Sequence, residues 1–391
     1  MKVEFDAKTH KQKLLKMLHP ASVVLITTDF PPDWGGLQSY SYQIAEGLKA
    51  GKLKKVEAAW PKTGQPPRPR DKEVQYGFHH GRSRLGALPW SLFATLRHGW
   101  GGETTLLHMQ WTTALGSYLL KKMFPRFRYI ILAHGAELLD PNRPILNWIK
   151  KAILRNATWV ITGSQAIAEI VQDQKVSQAR IRVVPYGYTF SVSPDLKNGN
   201  KTQALMGEKI RMACLHRLVP RKGTSLLLEA LANLGPSQSN WTLDIAGEGP
   251  EKSKLQAQAL SLGLSHQVHF VPPLADAEKF RYLQEHQLFI LPSLPPSGNN
   301  DVEGLGIGLL EAQAAGLAVL AARTGGIPEA IHEGYTGLLF QAGDIKDLQS
   351  KLKGLLEKPE SLRQLGQAGP QWIAENFSWE KSLSSLAQIL N

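Results

Sequence analysis

The chain has 391 residues, enough for two cores with a cleft between them, and its 42% apolar, 8% aromatic and 20% charged composition is that of an ordinary folded protein. No apolar run approaches the roughly 18 residues a membrane span needs, so disorder and integral membrane insertion are both excluded. Charge is uneven: 45 Lys and Arg against 33 Asp and Glu leave +12, yet residues 1–185 hold 27 basic against 13 acidic side chains, +14, and residues 186–391 hold 18 against 20, −2. The first half is therefore expected to face something anionic: a lipid headgroup, a phosphorylated substrate or nucleic acid.

The first twenty residues, MKVEFDAKTHKQKLLKMLHP, scatter lysines through their only apolar patch, unlike a secretory signal. Cys214 is the single cysteine, which rules out an internal disulfide and a cysteine metal cluster. A cytoplasmic location is expected. Cys214 lies in the apolar run 212–215 and reads as core, not nucleophile. From about residue 20, short apolar runs alternate with longer amphipathic stretches, the pattern of parallel strands joined by crossover helices. Strands are predicted at 23–27, 56–60, 105–109, 129–133, 159–162 and 181–184 in the first half. In the second half they fall at 210–215, 241–246, 268–271, 288–291 and 318–321. Between the halves, residues 191–208 lack a sustained apolar period and are rich in Pro, Gly, Asn and Lys, the composition of a linker. Two similar α/β domains follow, 1–190 and 209–370, with the linker 191–208 between them. The last stretch, 371–391, is helical in period and is expected to cross back to the first domain, covering Trp372, Phe377 and Trp379.

Four segments carry candidate chemistry. In DVEGLGIGLLEAQAAG, residues 301–316, Gly304, Gly306 and Gly308 make a loop whose bare backbone approaches a ligand closely, and 309–315 is a strong helix former. Amides at such a helix start attract anions. Glu303 and Glu311 lie on either side and bracket a ligand with hydroxyls at one end and phosphates in the middle, the shape of a nucleotide sugar. In HRLVPRKG, residues 216–223, Arg217 and Lys222 are five apart in a loop after a strand, where two cations neutralise a departing diphosphate. No Asp-x-Asp cluster is present to hold a metal for that work. The third segment, FPPDWGGLQSYSYQIAEGL at 30–48, has Gly35 and Gly36 before a helix. The fourth is His134, followed by Gly135 and Glu137 just after the strand 129–133, at the carboxyl end where open α/β sheets bind ligands.

Together and in this order, these elements resemble glycosyltransferase family 4, retaining nucleotide-sugar enzymes of the GT-B fold. The resemblance runs from about residue 23 to 377 and includes the segments GSQAIAEIV, VVPYG, DIAGEGPE, GGIPEAI and TGLLF. It implies two Rossmann-like domains facing each other across a cleft, the first binding the acceptor and the second the donor, with the terminal helix packed back on the first. It also implies that Arg217 and Lys222 hold the donor diphosphate and Glu311 the nucleotide ribose. Glu303 and the backbone of Gly304, Leu305, Gly306 and Ile307 would hold sugar and phosphate oxygens, His134 would contact the transferred sugar, and Gly35, Gly36 and Gly247 would complete the donor site. No metal and no other cofactor is expected. FPPDWGGLQSY and DVEGLGIGLLEAQAAG look most like the GDP-mannose-dependent mannosyltransferases of phosphatidylinositol mannosides, although Ala136 stands where those relatives often carry a bulkier or polar residue.

Retention through a double displacement would need a carboxylate nucleophile, and the sequence offers no obvious one. The resemblance instead implies a same-face displacement in which the departing diphosphate takes the acceptor's proton. The alternatives are a UDP-glucose or UDP-N-acetylglucosamine transferase, a GT-B epimerase or phosphorylase, and more distantly a basic nucleic-acid-binding protein. The last leaves Glu303 and Glu311 without a role, so no nucleic-acid partner is expected. Lys8, Lys11, Lys13 and Lys16 beside Leu14, Leu15, Met17 and Leu18, and KKMFPRFR at 121–128, mix cations with apolar side chains. That mixture suits peripheral docking on an anionic inner membrane face and a lipid-linked or glycan acceptor.

Overall fold

Runs such as SVVLIT and YIILA are buried at every position, as expected for parallel strands covered on both sides by helices. The structure is a computed structural model that describes residues 22–30, 36–48, 53–59, 75–80, 87–99, 104–139, 144–188, 209–235, 240–296 and 302–390. The expected linker, 191–208, and the lysine-rich start, 8–18, lie outside the described residues. The chain divides into two units, Met1–Gly187 with Trp379–Asn391, and Tyr188–Ser378.

The first unit holds strands β1 (Ser22–Thr27), β2 (Leu53–Ala59), β3 (Gln75–His79), β4 (Thr104–His108), β5 (Tyr129–Ala133), β6 (Trp159–Thr162) and β7 (Ile181–Val183). They pair in the order β3-β2-β1-β4-β5-β6-β7, all parallel. Its helices are α1 (Gly36–Leu48), α2 (Ala87–Gly99), α3 (Leu115–Met123), α4 (Pro144–Asn156) and α5 (Gln165–Asp173). Right-handed crossovers put α2, α3 and α4, which lead into β4, β5 and β6, on one face of the sheet and α1, which leads the other way into β2, on the opposite face.

The second unit repeats the plan with β8 (Ile210–Leu215), β9 (Trp241–Ala246), β10 (Val268–Val271), β11 (Leu288–Leu291), β12 (Ala318–Arg323) and β13 (Gly337–Gln341), ordered β10-β9-β8-β11-β12-β13 and again parallel. Its helices are α6 (Thr224–Ala232), α7 (Lys252–Ser261), α8 (Asp276–Leu283), α9 (Ile307–Ala314), α10 (Ile345–Glu357) and α11 (Pro359–Asn376). Trp241, Leu243, Ile245, Leu288, Ile290, Leu320 and Phe340 form the centre of its core. In each sheet the first six strands follow the Rossmann order 3-2-1-4-5-6, which reverses between the first and fourth strands and opens a ligand crevice at their carboxyl ends.

Helix α12 (Trp379–Leu390) returns to the first unit. Trp379 stacks on Tyr40 at 5.4 Å, Ser382 Oγ donates to Pro185 O at 2.6 Å, and Leu383 lies against Gly47. The return begins at Trp379, eight residues beyond the expected 371, because α11 runs on to Asn376 along the second sheet. Trp372 and Phe377 cover each other there, 6.4 Å apart. No helix among the described residues is long and apolar enough to cross a membrane.

Candidate functional site

In the second unit the crevice lies where β8 and β11 end. After β8 the chain makes a short turn, Pro220–Lys222, with proline at its start, where a missing amide costs nothing. Gly223 then adopts φ 66° and begins α6; any Cβ there would collide with the Pro292 carbonyl after β11. Leu294 N donates to Arg221 O at 2.8 Å, which joins the two loops. The turn directs Lys222 inward. Its Nζ donates to Glu303 Oε2 at 2.6 Å, Arg221 donates to the same oxygen at 2.7 Å, and Ser293 Oγ lies 3.4 Å away.

The electrostatics follow from burial. Removal from water pushes the Glu303 carboxyl up, but the charges and hydrogen bonds of Lys222 and Arg221 outweigh it and hold the carboxyl at about 2. Burial presses Lys222 below the usual lysine range; Glu303 opposes this, while Arg221 and the exposed Arg217 add to it. His216, ahead of Arg217, is lowered to about 4, chiefly by burial and then by Lys222, and is neutral at pH 7.

Glu303 is also anchored through its backbone, its carbonyl accepting from Gly326 N at 3.0 Å. Gly304 and the buried Leu305 lead to Gly306, which takes φ 79° as the residue before α9 and offers no side chain to cap the helix. The first-turn amides of Ile307 and Gly308 therefore receive no oxygen from a side chain at position 306 and suit an anion. Glu311, the fifth residue of α9, sits 3.4 Å from Lys279 on α8. Gly247 ends β9 against the His216 carbonyl, its amide donating to Val271 O at 3.1 Å.

In the first unit the corresponding crevice lies after β1 and β4. Thr28 Oγ1 donates to Gln110 Oε1 at 2.5 Å, Gln110 Nε2 donates to Asp29, and Gln38 of α1 donates to the other Asp29 oxygen at 2.6 Å. His134 follows β5. Its Nε2 lies 2.8 Å from Met109 O and its Nδ1 2.9 Å from Tyr186 Oη. A carbonyl only accepts, so the proton resides on Nε2 and the tyrosine donates to Nδ1. Tyr40 packs edge-on to both rings. Gly36 begins α1, and Gly35 lies outside the described residues.

Lys222 and Glu303, both expected at the site, are thus in direct contact, and the Gly304–Ile307 backbone leads straight from them into α9. Arg217 is exposed on the same loop, and Glu311 is paired separately. Arg221 was not singled out by sequence reasoning, although its position next to Lys222 after a helix-starting proline was a usable signal. Nothing local pointed to Ser293, Lys279 or the Asp29 network.

The model for glycosyl transferases group 1 matches residues 198–372, and the model for Glycosyltransferase Family 4 matches residues 34–190. The chain belongs to these glycosyltransferases. It is a hexosyltransferase of the GT-B fold. Among curated relatives, it is 28% identical over 94% of its length and 98% of theirs to the GDP-mannose-dependent alpha-(1-6)-phosphatidylinositol monomannoside mannosyltransferase of Mycolicibacterium smegmatis. It is 26% identical over 94% and 97% to the enzyme of that name from Mycobacterium tuberculosis. Among solved structures, Anabaena HepE in complex with UDP has a TM-score of 0.74 at 18% identity, covering 94% of this chain and 98% of that one. Sucrose-phosphate synthase from Thermosynechococcus elongatus has a TM-score of 0.77 at 20% identity, with the same coverage. These two show the fold.

Proposed function

We propose that the chain transfers mannose from GDP-mannose, with retention at the anomeric carbon, to a lipid-linked acceptor at the cytoplasmic face of an anionic membrane. The observation that carries this reading is the cluster of Lys222, Arg221 and Glu303 beside the uncapped start of α9, a site with the charge and donors a diphosphate needs. The names of the near full-length relatives support the GDP-mannose donor and a phosphatidylinositol-mannoside type of acceptor, and the +14 of residues 1–185 supports an anionic surface.

In this mechanism the bond from the anomeric carbon to the diphosphate oxygen breaks while the acceptor oxygen bonds on the same face, and the acceptor's proton passes to the leaving diphosphate. Lys222 and Arg217 take up the charge that develops there, aided by the α9 amides. Glu303 holds Lys222 in place until phosphate oxygens replace it as partner. Glu311 receives the ribose. His134 meets a hydroxyl of the transferred sugar by exchanging its bond to the Met109 carbonyl. Because side chains meet the charge on the leaving group, transfer is expected to persist in a metal chelator.

A thermal-shift panel of GDP, UDP, ADP and their sugars tests the donor. A ligand at 100 times its dissociation constant adds about 2.7 kcal/mol of stability. GDP and GDP-mannose should raise the unfolding temperature and UDP should not; the reverse pattern would replace this donor with a uridine sugar.

A further inference from the structure

Three consecutive helices of the first unit turn apolar side chains to solvent. On α2, Leu92, Phe93 and Leu96 are exposed at helical spacing, Phe93 by 56%. On and just after α3 come Leu119, Met123 (66%) and Phe124; on α4, Ile145 (75%) and Trp148 (70%). Eight of the twelve exposed large apolar side chains of the described residues lie here, so this is a patch and not the usual scatter. The stripes adjoin, since α3 packs on both α2 and α4, and Gly116 of α3 lies against Leu92.

The charge around the patch has one sign. Segments 87–99, 115–128 and 144–156 hold eight Lys and Arg and no Asp or Glu. Lys122 lies over the Tyr118 ring at 5.8 Å, Arg126 is exposed, and Lys151 and Arg155 follow Trp148 along α4. Burial first, and then the charges of Arg180 and Arg128, press the Lys121 ammonium below the usual lysine range. A nucleic-acid duplex would be met chiefly through phosphate contacts from cations, which leaves the aliphatic centre of Leu92, Leu96, Leu119 and Ile145 without a role. An apolar centre with a basic rim matches the boundary where hydrocarbon meets lipid phosphate.

We propose that the face formed by α2, α3 and α4 docks on an anionic bilayer, with Phe93, Met123 and Trp148 entering the headgroup boundary and Arg97, Lys122, Arg126 and Lys151 meeting lipid phosphates. This rests on the reading above that the acceptor is lipid-borne, and it adds the surface that brings the enzyme to that acceptor. Docking depends on charge as well as on inserted apolar side chains, so high salt weakens it.

The test places a polarity-sensitive fluorophore at Phe93→Cys, Trp148→Cys and, as a control in the second unit, Leu260→Cys, another exposed apolar position. Cys214, the only native cysteine, is fully buried and stays unlabelled. Labels at 93 and 148, and not at 260, should shift to the blue and be quenched by nitroxide-bearing lipids in vesicles of phosphatidylcholine with phosphatidylglycerol, but not of phosphatidylcholine alone. Co-sedimentation of the otherwise native Phe93→Ser/Trp148→Ser variant with the mixed vesicles should fall about tenfold or more. Equal quenching at all three positions, or wild-type sedimentation of the variant, would overturn the proposal. So would a concentration-dependent dimer that Phe93→Ser dissociates in the absence of vesicle binding, because the face would then be covered by a second copy. GDP binding, read on the same proteins without lipid, reports on the donor assignment alone.

Discussion

Replacing Glu303 by glutamine keeps the shape of the side chain and deletes its charge. The native carboxylate accepts bonds of 2.6 and 2.7 Å from Lys222 and Arg221, whose charges overcome burial and lower it from 4.5 to about 2. Between those values the unfolded chain binds a proton that the folded chain refuses. The stabilisation is therefore complete above about pH 4.5 and is lost as the pH falls toward 2. At about 1.4 kcal/mol per pH unit this is worth about 3 kcal/mol at neutral pH. For a domain of this size, roughly 2–4 °C per kcal/mol predicts that Glu303→Gln unfolds roughly 6–12 °C below the wild type at pH 7, with the gap closing toward pH 2. Paired calorimetric scans across that range measure the gap directly. Glu57 in the first unit, also held at about 2, titrates in both proteins and cancels in the difference. A gap that stayed constant down to the acid end, or no gap at neutral pH, would refute the ion-pair account of Glu303.

Lys222→Ala should lower transfer by about 100-fold or more while the far-ultraviolet circular dichroism is unchanged, because it removes a cation from the leaving group; a folded variant with near wild-type turnover would exclude Lys222 from that role. Gly306→Ala must place a Cβ at φ 79° and 3.0 Å from the side chains of Leu291 and Leu309, so it should cost about 1–2 kcal/mol and weaken nucleotide binding, both read from thermal shifts with and without donor. Glu57 lies buried between Lys55, His79 and His98, with bonds of 2.6 and 2.9 Å to the two imidazoles. Glu57→Gln should destabilise the first unit by about 3 kcal/mol, and unaltered hydrogen exchange over residues 53–59 would contradict this.

Much of the architecture is legible in the chain because buried parallel strands are predominantly apolar, with only isolated polar positions such as Arg211, Asp244 and His269. The strands at 129–133, 159–162, 210–215, 241–246, 268–271 and 288–291 are recognisable to the residue for that reason. Strands β3 (QYGFH) and β13 (GLLFQ) escape the same reading: each contains a glycine and ends in a polar residue, which interrupts the apolar run. The proposed donor loop is legible only in combination with the other segments, because glycines before a helix are common; the structure puts Gly306 at positive φ directly ahead of α9. Which of the two arginines in the loop after β8 turns inward is not legible, since the Pro220–Lys222 turn decides it; Arg221 contacts Glu303 while Arg217 stays exposed. The surroundings of His134 are equally silent in sequence, because its partners Met109 and Tyr186 lie 25 and 52 residues away.

The return of α12 has a consequence for how the protein is made. The surface around Tyr40, Gly47 and Pro185 that it covers is synthesised early, whereas Trp379 leaves the ribosome about 190 residues after Gly187. At 5–20 residues per second, the first unit waits about 10–40 s for its last helix. During that interval an apolar seat stays open on a nascent chain, so the N-terminal half is the later of the two to mature, although it is the first to emerge.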